Sequence, residues 1–134
     1  MKVFNNLEEM KPYYNKETNT YIFSENNRLI DIKIDFDLNI ECNIEARNIE
    51  SWDIKSGDIN AWDINAWDIK ARNINSGDIN ACDIKADNIN ANNIYFNAVC
   101  FAYKTFVCES IEGRRENSKY FCLDSEVVIK SQKS

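Results

Sequence analysis

The sequence predicts an all-β fold, a solenoid wound from five-residue units, and three periodic features predict it. Isoleucine recurs every fifth residue without a gap from Ile44 through Ile49, Ile54 and onward to Ile94, and Val99 extends the series. Asn or Asp stands immediately before each isoleucine, and Ala or Ser stands two residues after it, from Ala46 and Ser51 to Ala91. On an α-helix a five-residue step advances the chain by ~500°, so successive isoleucines would lie ~140° apart and form no apolar stripe. On a flat strand an odd step sends alternate isoleucines to opposite faces. A chain that bends once per unit escapes both conflicts. Every isoleucine then points into one shaft, Asp or Asn takes the bend its side chain favours, and coils stack at ~4.8 Å.

The elements follow in order. Residues 1–30 read as an N-terminal cap, needed because the end of a stacked coil is an unpaired strand edge. Within it Asn6 caps a short helix through Leu7, Glu8, Glu9 and Met10 that Pro12 stops, and Tyr13–Phe23 reads as a hairpin. Residues 31–103 are the solenoid. It opens with DIKIDFDLNI, whose alternating Ile32, Ile34, Phe36, Leu38 and Ile40 predict a longer strand running from 31 to 40. The residue two before each isoleucine ranges from Gly57 and Gly77 to Trp52, Trp62 and Trp67, a spread of sizes no narrow shaft accepts, so this slot faces outward. The slot after isoleucine is polar throughout and also faces water. Beyond Ile94 the small slot fills with Phe96 and Phe101, which plugs the shaft. Residues 104–134 form a C-terminal cap with a polar turn at 114–119 and a final strand or hairpin from Tyr120 to Lys130.

Composition limits the function. The chain has 134 residues, a net charge of −6 and no histidine. An acidic surface argues against direct nucleic-acid binding. Five cysteines form no C-x-x-C pair and read as reduced, mostly packed thiols, with no metal site and no cofactor. The N-terminal residues lack the apolar run of a signal peptide, and no segment is apolar enough to span a membrane, so a cytoplasmic location is expected. No nucleophile–base pair, phosphate loop or catalytic motif is present, and a non-enzyme with no catalytic residues is expected.

The run A-W-D-I-N, A-W-D-I-K, A-R-N-I-N, S-G-D-I-N, A-C-D-I-K resembles the pentapeptide-repeat proteins over residues 40–103. The resemblance implies a right-handed, four-sided β-helix. Four sides would set Gly57 on Gly77, Trp52 on Arg72 and Glu50 beside Lys70. The small residue lies two after the bulky one here and two before it in the family, so a three-sided or irregular helix stays open. The tail resembles endings found on such proteins from Firmicutes and their phages.

The resemblance also implies a function, because family members of this shape occupy the DNA site of gyrase. The first expectation is therefore a phage-type inhibitor that mimics nucleic acid and blocks a DNA- or RNA-handling enzyme such as gyrase or a CRISPR effector. Its contact residues would be Trp52, Trp62 and Trp67 with Asp58, Asp63, Asp68, Asp78 and Asp83 gathered on one face. Residues 43–94 carry nine acids and five bases. On a four-sided coil that is about one net charge per ~3 Å, against one per ~1.7 Å for duplex DNA. The second expectation is a structural or protein-interaction repeat module, homodimeric through its aromatic ends, without charge mimicry, whose signal is the face of Trp52, Trp62 and Trp67 together with the Tyr- and Phe-rich ends.

Overall fold

The computed structural model describes residues 1–130 and shows an all-β, right-handed solenoid of about six turns. Strands are parallel and stack in register: Ile44 pairs with Ile59 and Ile59 with Ile74, Ile49 with Ile64 and Ile64 with Ile79, Leu38 with Ile54 and Ile54 with Ile69. From Asp68 to Gly113 ladder pairing is continuous. Isoleucines 44 to 94 are all buried, and so are Ala46, Ala61, Ala66, Ala71, Ala81, Ala86 and Ala91. Each side thus presents two inward residues, isoleucine and the small residue two beyond it, and turns over the next two.

The register corrects the number of sides. Successive isoleucines on one side are 15 residues apart, so a coil holds three units, not the four that the family resemblance implied. Trp52 consequently stacks on Trp67, Gly57 lies under Arg72, and Glu50 pairs with Asn65. Both candidate coil lengths are multiples of five, so both superimpose isoleucine on isoleucine. The outer columns favour 15, which joins Asn73 to Asp58, Asn88 to Asn73 and Asn93 to Asp78 by side-chain hydrogen bonds of 3.0, 2.6 and 2.9 Å.

The expected long strand from 31 to 40 is two sides of an early coil. Strands Ile32–Ile34 and Leu38–Asn39 meet at a bend through Asp35, Phe36 and Asp37, with Ile32, Ile34, Leu38 and Ile40 buried. Alternation alone could not reveal that bend, since both sides keep the same inward phase across it.

At the N-terminal end Asn6 caps as expected, its Oδ1 accepting from the Glu9 N–H at 3.1 Å. The helix is a 3-10 helix, Leu7–Tyr13, and Pro12 lies inside it instead of stopping it. Met10 from this helix packs with Phe4 and Phe23 to close the shaft, all three fully buried. Tyr14–Asn15 and Thr20–Ile22 form the expected antiparallel hairpin, and Asn19 adopts the left-handed conformation that asparagine tolerates in turns. Strands Lys2–Phe4 and Thr20–Ile22 also join the parallel stack, so the solenoid reaches into the residues read as a cap.

At the C-terminal end Phe96 and Phe106 plug the shaft. Val99 breaks the inward series: it is 39% exposed, while Cys100 and Ala102 are buried in its place and Phe101 is only half-buried. An extra residue at the preceding corner shifts the inward phase by one and lengthens the stacking to 16 residues, the Val99 N–H donating to Asp83 Oδ1 at 3.1 Å. A second added residue between Ala102 and Phe106 lengthens it to 17, with Thr105 Oγ1 donating to Asn88 Oδ1 at 2.7 Å. Lys119–Cys122 and Val127–Ile129 are two further parallel rungs on the last coil and do not form a hairpin.

Candidate functional site

Fifteen-residue stacking gives each side its own outer chemistry. On one side the residues before isoleucine are Asn43, Asp58, Asn73 and Asn88, and those after it include Asn60, Asn75 and Asn90, which makes a largely neutral amide surface. Asp58 belongs here, half-buried, and its carboxylate accepts from Asn73. A second side carries Asn48, Asp63, Asp78 and Asn93. Its carboxylates are engaged within the column: Asp63 accepts from the Asp78 N–H at 3.2 Å and Asp78 from Asn93 at 2.9 Å.

The third side is ionic. Asp53, Asp68 and Asp83 stand in one column, extended by Asp37, whose Oδ1 accepts from the Asp53 N–H at 3.3 Å. Two residues along each strand, Lys55 pairs in register with Lys70, and Lys85 follows. Together they line a shallow groove of about 320 Å³. Burial first, then the like charges of Asp53 and Asp83, push the Asp68 carboxyl above its ordinary range. Among the described residues the ion pairs lie elsewhere, at Lys2–Glu25, Lys11–Glu8, Arg47–Asp31 and Lys130–Glu109. The Asp column is therefore not closed by bridges to its lysines. Lys85 instead sets its ammonium 5.7 Å from the centre of the Tyr103 ring. Farther along, Asp83, Lys85, Val99, Phe101 and Phe121 line a second groove of about 420 Å³, with Phe101 and Phe121 in contact at 4.6 Å.

The tryptophans divide between two corners. Trp52 and Trp67 belong to the ionic side, one residue before Asp53 and Asp68, with ring centroids 5.2 Å apart and a 33° tilt. The Trp52 indole N–H donates to Asp35 at 3.1 Å. The two are 44% and 59% exposed. Trp62 is 65% exposed at a different corner, in the column of Arg47 and Gly77. The expectation of three clustered tryptophans with five aspartates on one face is thereby corrected. Trp52, Trp67, Asp68 and Asp83 come together, Asp63 and Asp78 occupy a second side, Asp58 a third, and Trp62 stands apart. Stacking on arginine does not account for the exposure. Arg47 is held by Asp31 through two hydrogen bonds of 2.7 Å, which keeps the Asp31 carboxyl below its usual range.

Asp37, Asp53 and the three lysines went unselected in the sequence reading. A legible signal existed within the gapless repeat: after Ile44, D-I-K occurs at 53–55, 68–70 and 83–85, at intervals of 15. Among the described residues no group of His, Cys, Asp and Glu is arranged to hold a metal ion, and no helix is long and apolar enough to cross a membrane. No family model, curated protein or solved structure matches the chain.

Proposed function

We propose that the protein is a non-catalytic, protein-binding repeat module whose contact face is the ionic side with its Trp52–Trp67 corner. One observation carries this reading: two large indoles stacked in solvent beside a column of carboxylates that no ion pair among the described residues closes. Exposed aromatic clusters are costly in water and are enriched at binding hot spots. The shaft supplies rigidity, so little conformational freedom is lost on binding. The five free thiols suit a reducing compartment, and a cytoplasmic location belongs to the same reading.

A second reading, the inhibitor that mimics nucleic acid to block a gyrase- or CRISPR-like enzyme, draws support from the net charge of −6 and the regular Asp column. Two features count against it. With three sides, residues 43–94 span roughly 17 Å, so the net charge density falls to about one per ~4 Å, less than half that of duplex DNA. The Lys55–Lys70–Lys85 column also runs parallel to the aspartates and neutralises much of their field.

Affinity capture from a host lysate with defined variants separates the two. A hot-spot face predicts that W52A/W67A loses the captured partner, that W62A retains it, and that affinity falls only a few-fold between about 0.15 and about 0.5 M NaCl. A mimic predicts retention by W52A/W67A and loss by orders of magnitude with salt, because many charges are exchanged. That outcome would replace the first reading by the second.

A further inference from the structure

Resting on that contact face, the structure also bears on what chemistry it receives. Trp52 and Trp67 are separated by about one coil, so the indoles stack along the solenoid axis. Trp67 stays 59% exposed with the Trp52 ring against it, and at the same corner of the next coil stands Cys82, whose N–H donates to the Trp67 carbonyl at 2.6 Å. Cys82 is small and half-buried, and its Sγ is drawn toward Asn97, whose Nδ2 donates to it at 3.2 Å. The aromatic column therefore stops after two members, and the exposed Trp67 indole is followed in its column by a small side chain. Beside this pair stand two exposed carboxylates, Asp68 next to Trp67 and Asp83 next to Cys82.

We infer that this slot receives the guanidinium of an arginine on a partner protein. A flat cation laid on the outer face of Trp67 continues the stack over Cys82, and its N–H groups, fixed in one plane, donate to the Asp68 and Asp83 carboxylates. The like charges of the column favour such an occupant, since a cation between Asp68 and Asp83 relieves their repulsion. An ammonium lacks the planar surface that the indole face rewards. A nucleobase could stack, but its phosphates would lie against Asp53, Asp68 and Asp83, which excludes nucleic acid in favour of protein.

The test follows the indole N–H signals of ¹⁵N-labelled protein, assigned with W67F, during titration with acetyl-Gly-Arg-Gly-amide and acetyl-Gly-Lys-Gly-amide. The expected result is a saturable shift of the Trp67 signal and none of Trp62. The arginine peptide should bind at least roughly fivefold more tightly than the lysine peptide. D68N/D83N, nearly isosteric and still able to accept from the backbone N–H groups above, should weaken the arginine peptide by a similar factor while leaving the remaining spectrum unchanged. A Trp67 signal that does not move, equal binding of both peptides, or indifference to D68N/D83N would overturn the inference. A Trp67 shift that depends on protein concentration and is abolished by R72A/R114A/R115A would overturn the foreign partner in favour of a second copy. The contact face fails separately: if W52A/W67A retains its captured partner, the face is wrong even where the peptide binds. If the peptide does not bind while W52A/W67A loses the partner, only the arginine is wrong.

Discussion

Replacing Asp68 by Asn removes the middle charge of the Asp53–Asp68–Asp83 column while keeping the side chain's shape and an acceptor oxygen. At one strand spacing, ~4.8 Å, two unit charges in water repel by about 0.9 kcal/mol, reduced to about 0.5 kcal/mol by physiological salt. Asp68 has two such neighbours, for about 1 kcal/mol. Lys70, roughly 7 Å along the strand, returns about 0.25 kcal/mol by the same reckoning, and Lys55 and Lys85, each roughly 8.5 Å away, return about 0.17 kcal/mol apiece, for about 0.6 kcal/mol in all. D68N should therefore stabilise the fold by roughly 0.4 kcal/mol near neutral pH, a rise of about 1–2 °C in Tm for a chain of this size. D83N should gain less, because Val99 stands above Asp83 in the column and leaves it one charged neighbour. The pH dependence has a definite sign. The folded-state carboxyl of Asp68 is raised above its ordinary 3.8, so its ionisation disfavours folding. The advantage of D68N should be absent below about pH 3.8 and should appear as pH rises through the raised value. Urea unfolding of both proteins at pH 7, in low salt, physiological salt and about 1 M NaCl, is the assay, and the gain should shrink with salt as the repulsion from Asp53 and Asp83 is screened, leaving at the highest salt the part that burial of the carboxylate causes. A destabilised D68N at pH 7, or a gain indifferent to salt, would refute the reasoning. Together with the expected loss of arginine binding, a gain in stability would mark the column as retained at a cost to the fold.

Four further outcomes follow from packing and burial. Ile64→Ala empties the centre of the shaft and should cost about 2–5 kcal/mol in urea unfolding, whereas Val99→Ala, on the exposed side of the phase shift, should change stability by no more than about 0.5 kcal/mol. Gly77→Ala directs a methyl group onto the Trp62 backbone carbonyl oxygen, which cannot swing aside, and should destabilise by about 1–3 kcal/mol on the same measurement. Ser51 buries a hydroxyl oxygen with no partner in a slot that most other units fill with alanine, so Ser51→Ala should stabilise by about 1 kcal/mol, read as a higher urea midpoint. Burial pushes the Cys108 thiol up to about 11 and the Cys100 thiol higher still. With Ellman's reagent at about pH 8, Cys42, Cys82 and Cys122 should react in the folded protein, and Cys100 and Cys108 only after unfolding.

Sequence alone determined the winding of this chain and the contents of its shaft, because a five-residue recurrence of a branched apolar side chain is compatible with no helix and no flat strand. It also determined the Asn6 cap and the hairpin through Tyr14 and Tyr21, whose signals are local. The number of sides lay beyond it: Ile64 finds an isoleucine above it whether a coil contains 15 residues or 20, so the inner pattern is silent and closure of the shaft decides. That decision sets everything presented to solvent. It places Trp67 on Trp52 instead of Trp52 on Arg72, gathers Asp53, Asp68 and Asp83 into one column, and sends Asp58, Asp63 and Trp62 to other sides. The exposure of Val99 was likewise a tertiary matter, since one added corner residue reverses inside and outside for the rung that follows, and only the stacked neighbours show where that residue was inserted.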